Sequence, residues 1–134
     1  MKPKYRYSGI AMVISAFLIA QLACEKIEIG DSIYVQVGKE YSVTSNLTFT
    51  IDSIREYRCP KDVVCIWAGD VDLFFSILEG SQNKDTIMRL NDHLRNPMFF
   101  SGYQWEIFDV LPYPLSDQPT DPKDIRIRMM ISRK

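Results

Sequence analysis

The sequence predicts an all-β fold, a two-layer sandwich or small barrel of about seven short strands, set behind an N-terminal export signal. Three observations carry that expectation. Past residue 30, apolar side chains recur with a period of two. Clusters of Gly, Asn, Asp and Pro separate the alternating runs. No long segment beyond residue 23 shows the apolar spacing of an amphipathic helix.

Taken in order, Ile33, Val35 and Val37 alternate with Tyr34 and Gln36. Leu47, Phe49 and Ile51 alternate with Thr48, Thr50 and Asp52, the plainest half-buried strand in the chain. Val71, Leu73, Phe75 and Ile77 form one face of the next strand, and Phe74 and Leu78 make its other face partly apolar. A turn at Glu79-Gly80-Ser81-Gln82-Asn83 leads to a shorter strand over Thr86–Leu90. Tyr103–Leu111 is strand-like, and Ile107-Phe108 breaks its alternation in the manner of a bulge. Ile125, Ile127, Met129 and Ile131 close the chain against Arg126, Arg128 and Ser132. The segment Asn91–Gly102 is ambiguous, with Leu94, Met98, Phe99 and Phe100 placed to cap the core from a loop or a short helix. Strands of this number and spacing fit an immunoglobulin-like sandwich. Leu47, Phe49, Ile51, Val71, Leu73, Phe75, Ile127 and Met129 are its expected core.

Four of the seven prolines fall in Pro112–Pro122, PYPLSDQPTDP. The plain reading is a stiff crossover between the last two strands. The functional reading is a binding loop that presents Tyr113 and Leu115.

The N-terminus supplies an address. Lys2, Lys4 and Arg6 precede an apolar run from Ser8 to Ala23, with no acid before Glu25. That is the layout of a secretory signal, and the run is short of the ~20 residues a transmembrane helix needs. It ends in Gln21-Leu22-Ala23-Cys24, which resembles a bacterial lipobox, with Gln21 where Leu is usual. The resemblance implies a signal peptide over residues 1–23, a lipid on Cys24, a short tether over 24–30 and a sandwich domain over 31–134. Cleavage leaves 111 of the 134 residues and lowers Lys plus Arg from 16 to 13 against 17 acids, a net charge of −4. That balance disfavours nucleic acid and anionic membrane surfaces. The lipid itself would be the membrane attachment.

With Cys24 lipidated, an even pair remains, Cys59 and Cys65, in an oxidising setting. Their spacing fits neither a C-x-x-C redox motif nor a zinc knuckle. A disulfide needs Cα atoms within about 7 Å, whereas six extended steps span ~20 Å and six helical ones ~9 Å. The chain between them must therefore reverse, and Pro60-Lys61-Asp62 is suitable turn chemistry. We read the pair as a structural staple. Trp67 has two readings beside it: packed on the disulfide as a plug of the sandwich, which we prefer, or exposed as a platform for a sugar or peptide.

Arg58-Cys59-Pro60 followed by Val64-Cys65-Ile66-Trp67-Ala68-Gly69 resembles a block found in uncharacterised secreted proteins of the Bacteroidota kind, many of them lipoproteins. Val110-Leu111-Pro112-Tyr113-Pro114 is similar to a second block that precedes their terminal strand. The resemblance spans most of Tyr41–Ile131 and implies export and a β-rich domain, with no catalysis attached to it. Asp followed by Ser or Thr and an apolar residue resembles the O-glycosylation acceptor of such bacteria, and occurs at Ser32, Ser53 and Thr86. About one match is expected by chance. The Asn46-Leu47-Thr48 sequon is discounted because it opens a strand in a bacterial chain.

Catalytic chemistry finds little support. His93, the single histidine, sits in what reads as an exposed turn, and no phosphate loop or G-x-S-x-G is present. Asp70 and Asp72 read as solvated groups on the outward face of one strand. Asp117, Asp121 and Asp124 in the proline loop are the one candidate set for a weak calcium ion, but they lack the pattern of a calcium cage, and the plain reading is preferred. No catalytic residue, cofactor or metal is expected. The expected protein is a non-enzymatic, lipid-anchored outer-membrane lipoprotein facing the periplasm or the cell surface, whose partner is an envelope protein or a glycan. The alternative is a secreted protease inhibitor presenting loops from an immunoglobulin-like sandwich, similar to chagasin-type inhibitors, whose signature loop motifs are absent here. A small hydrolase ranks behind both.

Overall fold

The computed structural model describes residues 24–134, so the expected signal peptide over 1–23 lies outside the described residues. The strands are β1 (Glu25–Lys26), β2 (Ser32–Gln36), β3 (Glu40–Thr44), β4 (Leu47–Glu56), β5 (Val71–Glu79), β6 (Gln82–Arg89), β7 (Met98–Phe100), β8 (Tyr103–Leu111) and β9 (Arg126–Arg133). They form a sheet in the order β1-β3-β4-β5-β6 and another in the order β2-β9-β8-β7. All pairings are antiparallel except β1 with β3. The fold is a β-sandwich with two open sheets, not a closed barrel.

The alternation read from the sequence becomes the interior. Leu47, Phe49, Ile51, Val71, Leu73, Phe75, Ile127 and Met129 are all buried in one cluster with Val35, Ile77, Met88 and Trp105. Phe49 is its hub, stacked on Tyr41 with ring centroids 5.5 Å apart and edge-on to Trp105 at 5.2 Å. The irregularity at Ile107-Phe108 is a register shift in the β8–β9 pairing. β4 holds a second one between Ile51 and Ser53, which turns Asp52 out of the ladder.

Four expectations change. The segment 24–30, expected as a tether, contains β1 and buries Ile27, so the chain joins the sandwich from Glu25 onward. β3 was not foreseen, although Tyr41 and Val43 alternate inward. Within Asn91–Gly102 a three-residue strand forms, and Met98 and Phe100 pack on the core while Leu94 and Phe99 are exposed. The proline segment is no crossover: β8 and β9 are hydrogen-bonded neighbours, so Pro112–Ile125 is the long loop of a hairpin.

Strand direction places the loops. β4 runs toward, and β5 away from, the end that carries residues 57–70. Arg58 meets Val110 and Lys61 meets Pro114 there, so the proline loop shares that end. β1 runs parallel to β3, away from the same end, so Cys24 also faces it. β3 stops pairing at Thr50, so residues 51–56 of β4 overhang its neighbour by ~20 Å.

Candidate functional site

The overhanging β4–β5 hairpin continues past its strands through Tyr57 N–H to Asp70 O (3.0 Å) and Cys59 N–H to Ala68 O (2.7 Å). Gly69 permits this close return. It sits at φ +67°, and a Cβ there would fall 1.9 Å from the Tyr57 carbonyl oxygen. Cys59 and Cys65 are joined in a disulfide with Cα atoms 5.9 Å apart, and Val63 N–H to Pro60 O closes the reversal at 3.3 Å.

Two side chains fasten this loop to the proline loop. Arg58 is only 5% exposed. Its Nε and Nη2 donate to the two oxygens of Glu56 at 2.8 and 2.5 Å, and its Nη1 donates to Val110 O at 2.8 Å. The guanidinium also lies over the Tyr113 ring, 4.5 Å from its centroid. Asp62 accepts from the amide and hydroxyl of Ser116 at 3.0 and 2.5 Å, and those bonds hold its carboxyl below the ordinary range. Lys61 N–H to Pro114 O adds a backbone bond of 3.1 Å.

Two surfaces result. One is an apolar cleft of about 360 Å³ between the β4 overhang and the proline loop, walled by Ile54, Val110, Pro112, Leu115, Pro119 and Ile125. Glu56 also lines it. The other is a convex tip, where Val64 and Ile66 are fully exposed and Trp67 is 82% exposed.

The preferred reading of Trp67 as a core plug is therefore corrected. The staple lies beyond the sandwich layers, so no interior surrounds it, and Trp105 fills the role at 0% exposure. Tyr113 and Leu115 do meet the stapled loop's base, Tyr113 through Arg58 and Leu115 in the cleft. Asp72 is corrected as well. It is buried, taking Arg89 Nε at 2.6 Å and the Tyr57 hydroxyl at 3.3 Å, and the bond from Arg89 leads in holding its carboxyl below the usual range. Asp70 caps the neighbouring loop by accepting from Asn91.

The remaining sequence candidates scatter. His93 is exposed in the turn after β6. Asp121 caps the short 3₁₀ turn Pro122–Asp124 by accepting from Lys123 N–H. Among the described residues no cluster of His, Cys, Asp or Glu could hold a metal ion. Ser32 and Ser53 are exposed, whereas Thr86 is half-buried with its hydroxyl 3.7 Å from Met98 Sδ. Cys24 is exposed and free, its thiol raised first by partial burial and then by the Glu40 carboxylate.

Sequence reasoning missed the Arg58–Glu56 clamp and the Asp62–Ser116 latch. Both join segments about 50 residues apart or depend on a loop geometry that no local pattern encodes. No protein-family model, curated protein or solved structure matches this chain.

Proposed function

We propose that the protein is a non-enzymatic envelope lipoprotein, held by lipid on Cys24 at the outer membrane, that binds a protein partner through the end of the sandwich where its two loops meet. The observation that carries this reading is the cleft beside the proline loop. Its volume is that of a ligand site, its walls are largely apolar, and both oxygens of the lining Glu56 are already taken by Arg58. Such a surface recognises apolar side chains of a protein segment better than the hydroxyls of a glycan. The export signal and the oxidised Cys59–Cys65 pair support an extracytoplasmic address.

Two measurements test it. A palmitate analogue fed to cells should label the wild type and leave Cys24→Ser unlabelled; an unlabelled, soluble wild type refutes the anchor. Photo-crosslinking from a probe at Gln118, on the rim of the same cleft, should trap a partner in intact envelopes that the added change Leu115→Asp loses. Crosslinks from that probe unchanged by Leu115→Asp would refute the cleft as the binding surface.

One observation favours a second reading. A stapled, clamped and protruding loop is also how an inhibitor presents itself to a protease. Inhibition of a cysteine or serine protease that Trp67→Ala abolishes would establish that reading instead.

A further inference from the structure

We infer that the stapled tip formed by Val64, Ile66 and Trp67 seats in the interfacial layer of the bilayer that holds Cys24, as a second membrane contact that fixes the tilt of the domain. The inference rests on the anchored reading above. Its basis is the placement of the tip. The tip stands out from the sandwich and lines none of the four main clefts, so among the described residues nothing covers its apolar side chains. Cys24, at the head of β1, faces the same end of the sandwich.

The offset between the two contacts sets the pose. Cys24 lies level with the start of β3, and the β4 overhang carries the base of the stapled loop ~20 Å farther along the strands, with the tip beyond it. Sideways, β1 stands two strand spacings from β4, ~10 Å. A membrane plane that meets both points runs obliquely to the strands, so the domain leans on the bilayer instead of standing upright. The cleft, walled by the same overhang, then lies near the headgroups.

The chemistry matches that layer. Tryptophan is favoured at the interface because its ring is apolar and its N–H is a donor, and aliphatic neighbours reach the boundary of the acyl chains about 5–10 Å down. The mature net charge of −4 gives no electrostatic attraction to anionic lipid. Seating therefore depends on apolar contact and is insensitive to salt. The disulfide, the Arg58 clamp and the Asp62–Ser116 latch hold the tip in place beforehand, so little ordering accompanies insertion.

The two tryptophans make the test direct, since Trp105 is fully buried and Trp67 is the water-exposed one. The full lipoprotein is purified from membranes and reconstituted into phosphatidylethanolamine–phosphatidylglycerol vesicles. Subtracting the spectrum of Trp67→Gln isolates Trp67. Its emission should shift to the blue, lose iodide quenching and gain quenching by lipids brominated near the headgroup, equally at low and high salt. Val64→Ser/Ile66→Ser should reverse these changes. The intact mass reports the anchor separately. An unlipidated chain overturns the anchored reading and this pose with it. A lipidated chain whose Trp67 stays open to iodide overturns the tip contact alone, and shielding of Trp67 only on addition of a protease assigns the tip to an inhibitory role.

Discussion

Removing the Arg58 guanidinium should loosen the loop end far more than its place in a surface loop implies. In Arg58→Ala the Val110 carbonyl loses its donor in a buried setting, about 1–3 kcal/mol. Glu56 loses its fork of two bonds, but its side chain is 29% exposed and regains water, so that loss is discounted to about 1 kcal/mol. The stacked Tyr113 ring contributes about 0.5–1 kcal/mol more. Together these amount to about 2.5–5 kcal/mol. Arg58→Lys keeps a charge but cannot serve Glu56 and Val110 at once, so it should recover less than half.

Urea unfolding followed by Trp105 emission measures the global cost. Amide exchange at Lys61 and Ser116 measures the local one, because both amides are bonded across the two loops. The expected result is a lower midpoint for Arg58→Ala, with protection lost at these two amides before the β-sheets open. A variant that unfolds like the wild type and keeps both amides protected would falsify the clamp. So would Arg58→Lys behaving as wild type, since bidentate geometry would then be irrelevant.

Phe49→Ala should cost about 3–5 kcal/mol, toward the upper end because Tyr41, Phe75 and Trp105 all lose an aromatic neighbour, and chemical denaturation reads it directly. Reducing Cys59–Cys65 should lower stability by about 2 kcal/mol through loop-closure entropy and leave the fold standing; collapse of the near-UV dichroism on reduction would contradict this. Asp72 titrates below its ordinary range, so its contribution is complete above a pH of ~3.9 and is lost as pH falls through the lowered folded value. Acid unfolding of Asp72→Asn should lack that part of the pH dependence, and an unchanged acid profile would show that the Arg89 pairing carries none of it.

The layers of this fold were legible where one residue's environment depends on its immediate neighbours. Leu47, Phe49 and Ile51 alternate because one face of β4 is dry, and that periodicity is local. Phe108 announced its bulge in the same way. What was illegible depends on distant segments. β1 is two residues long and exists because β3 offers it a free edge. Asp72 lies on the outward face of β5, as its register requires, yet Tyr57 and Arg89 fold over it from the loop and from β6. Trp67 was misplaced because a tryptophan beside a disulfide suits a staple between layers, whereas this staple closes a loop beyond them. Tyr113 and Leu115 stood out by the proline-rich composition around them; Arg58 stood out only as part of a motif block, and its bonds to Glu56 and Val110 and its place over the Tyr113 ring gave no local signal.

The loop end combines two features that ordinarily oppose each other. A cluster of Val64, Ile66 and Trp67 left in water forgoes roughly 1.5–3 kcal/mol of burial for each side chain, so a free loop of this composition would fold back onto the nearest apolar surface. That surface is close at hand in the cleft of Ile54, Val110 and Leu115. Collapse is prevented because the disulfide shortens the loop, Gly69 directs its return strand alongside Tyr57, and Arg58 and Asp62 fix its base to the proline loop. The same contacts keep the cleft open. Releasing them should therefore change both surfaces together, with the tip filling the cleft. In Arg58→Ala/Asp62→Ala, Trp67 emission should move to the blue in the absence of any membrane or partner.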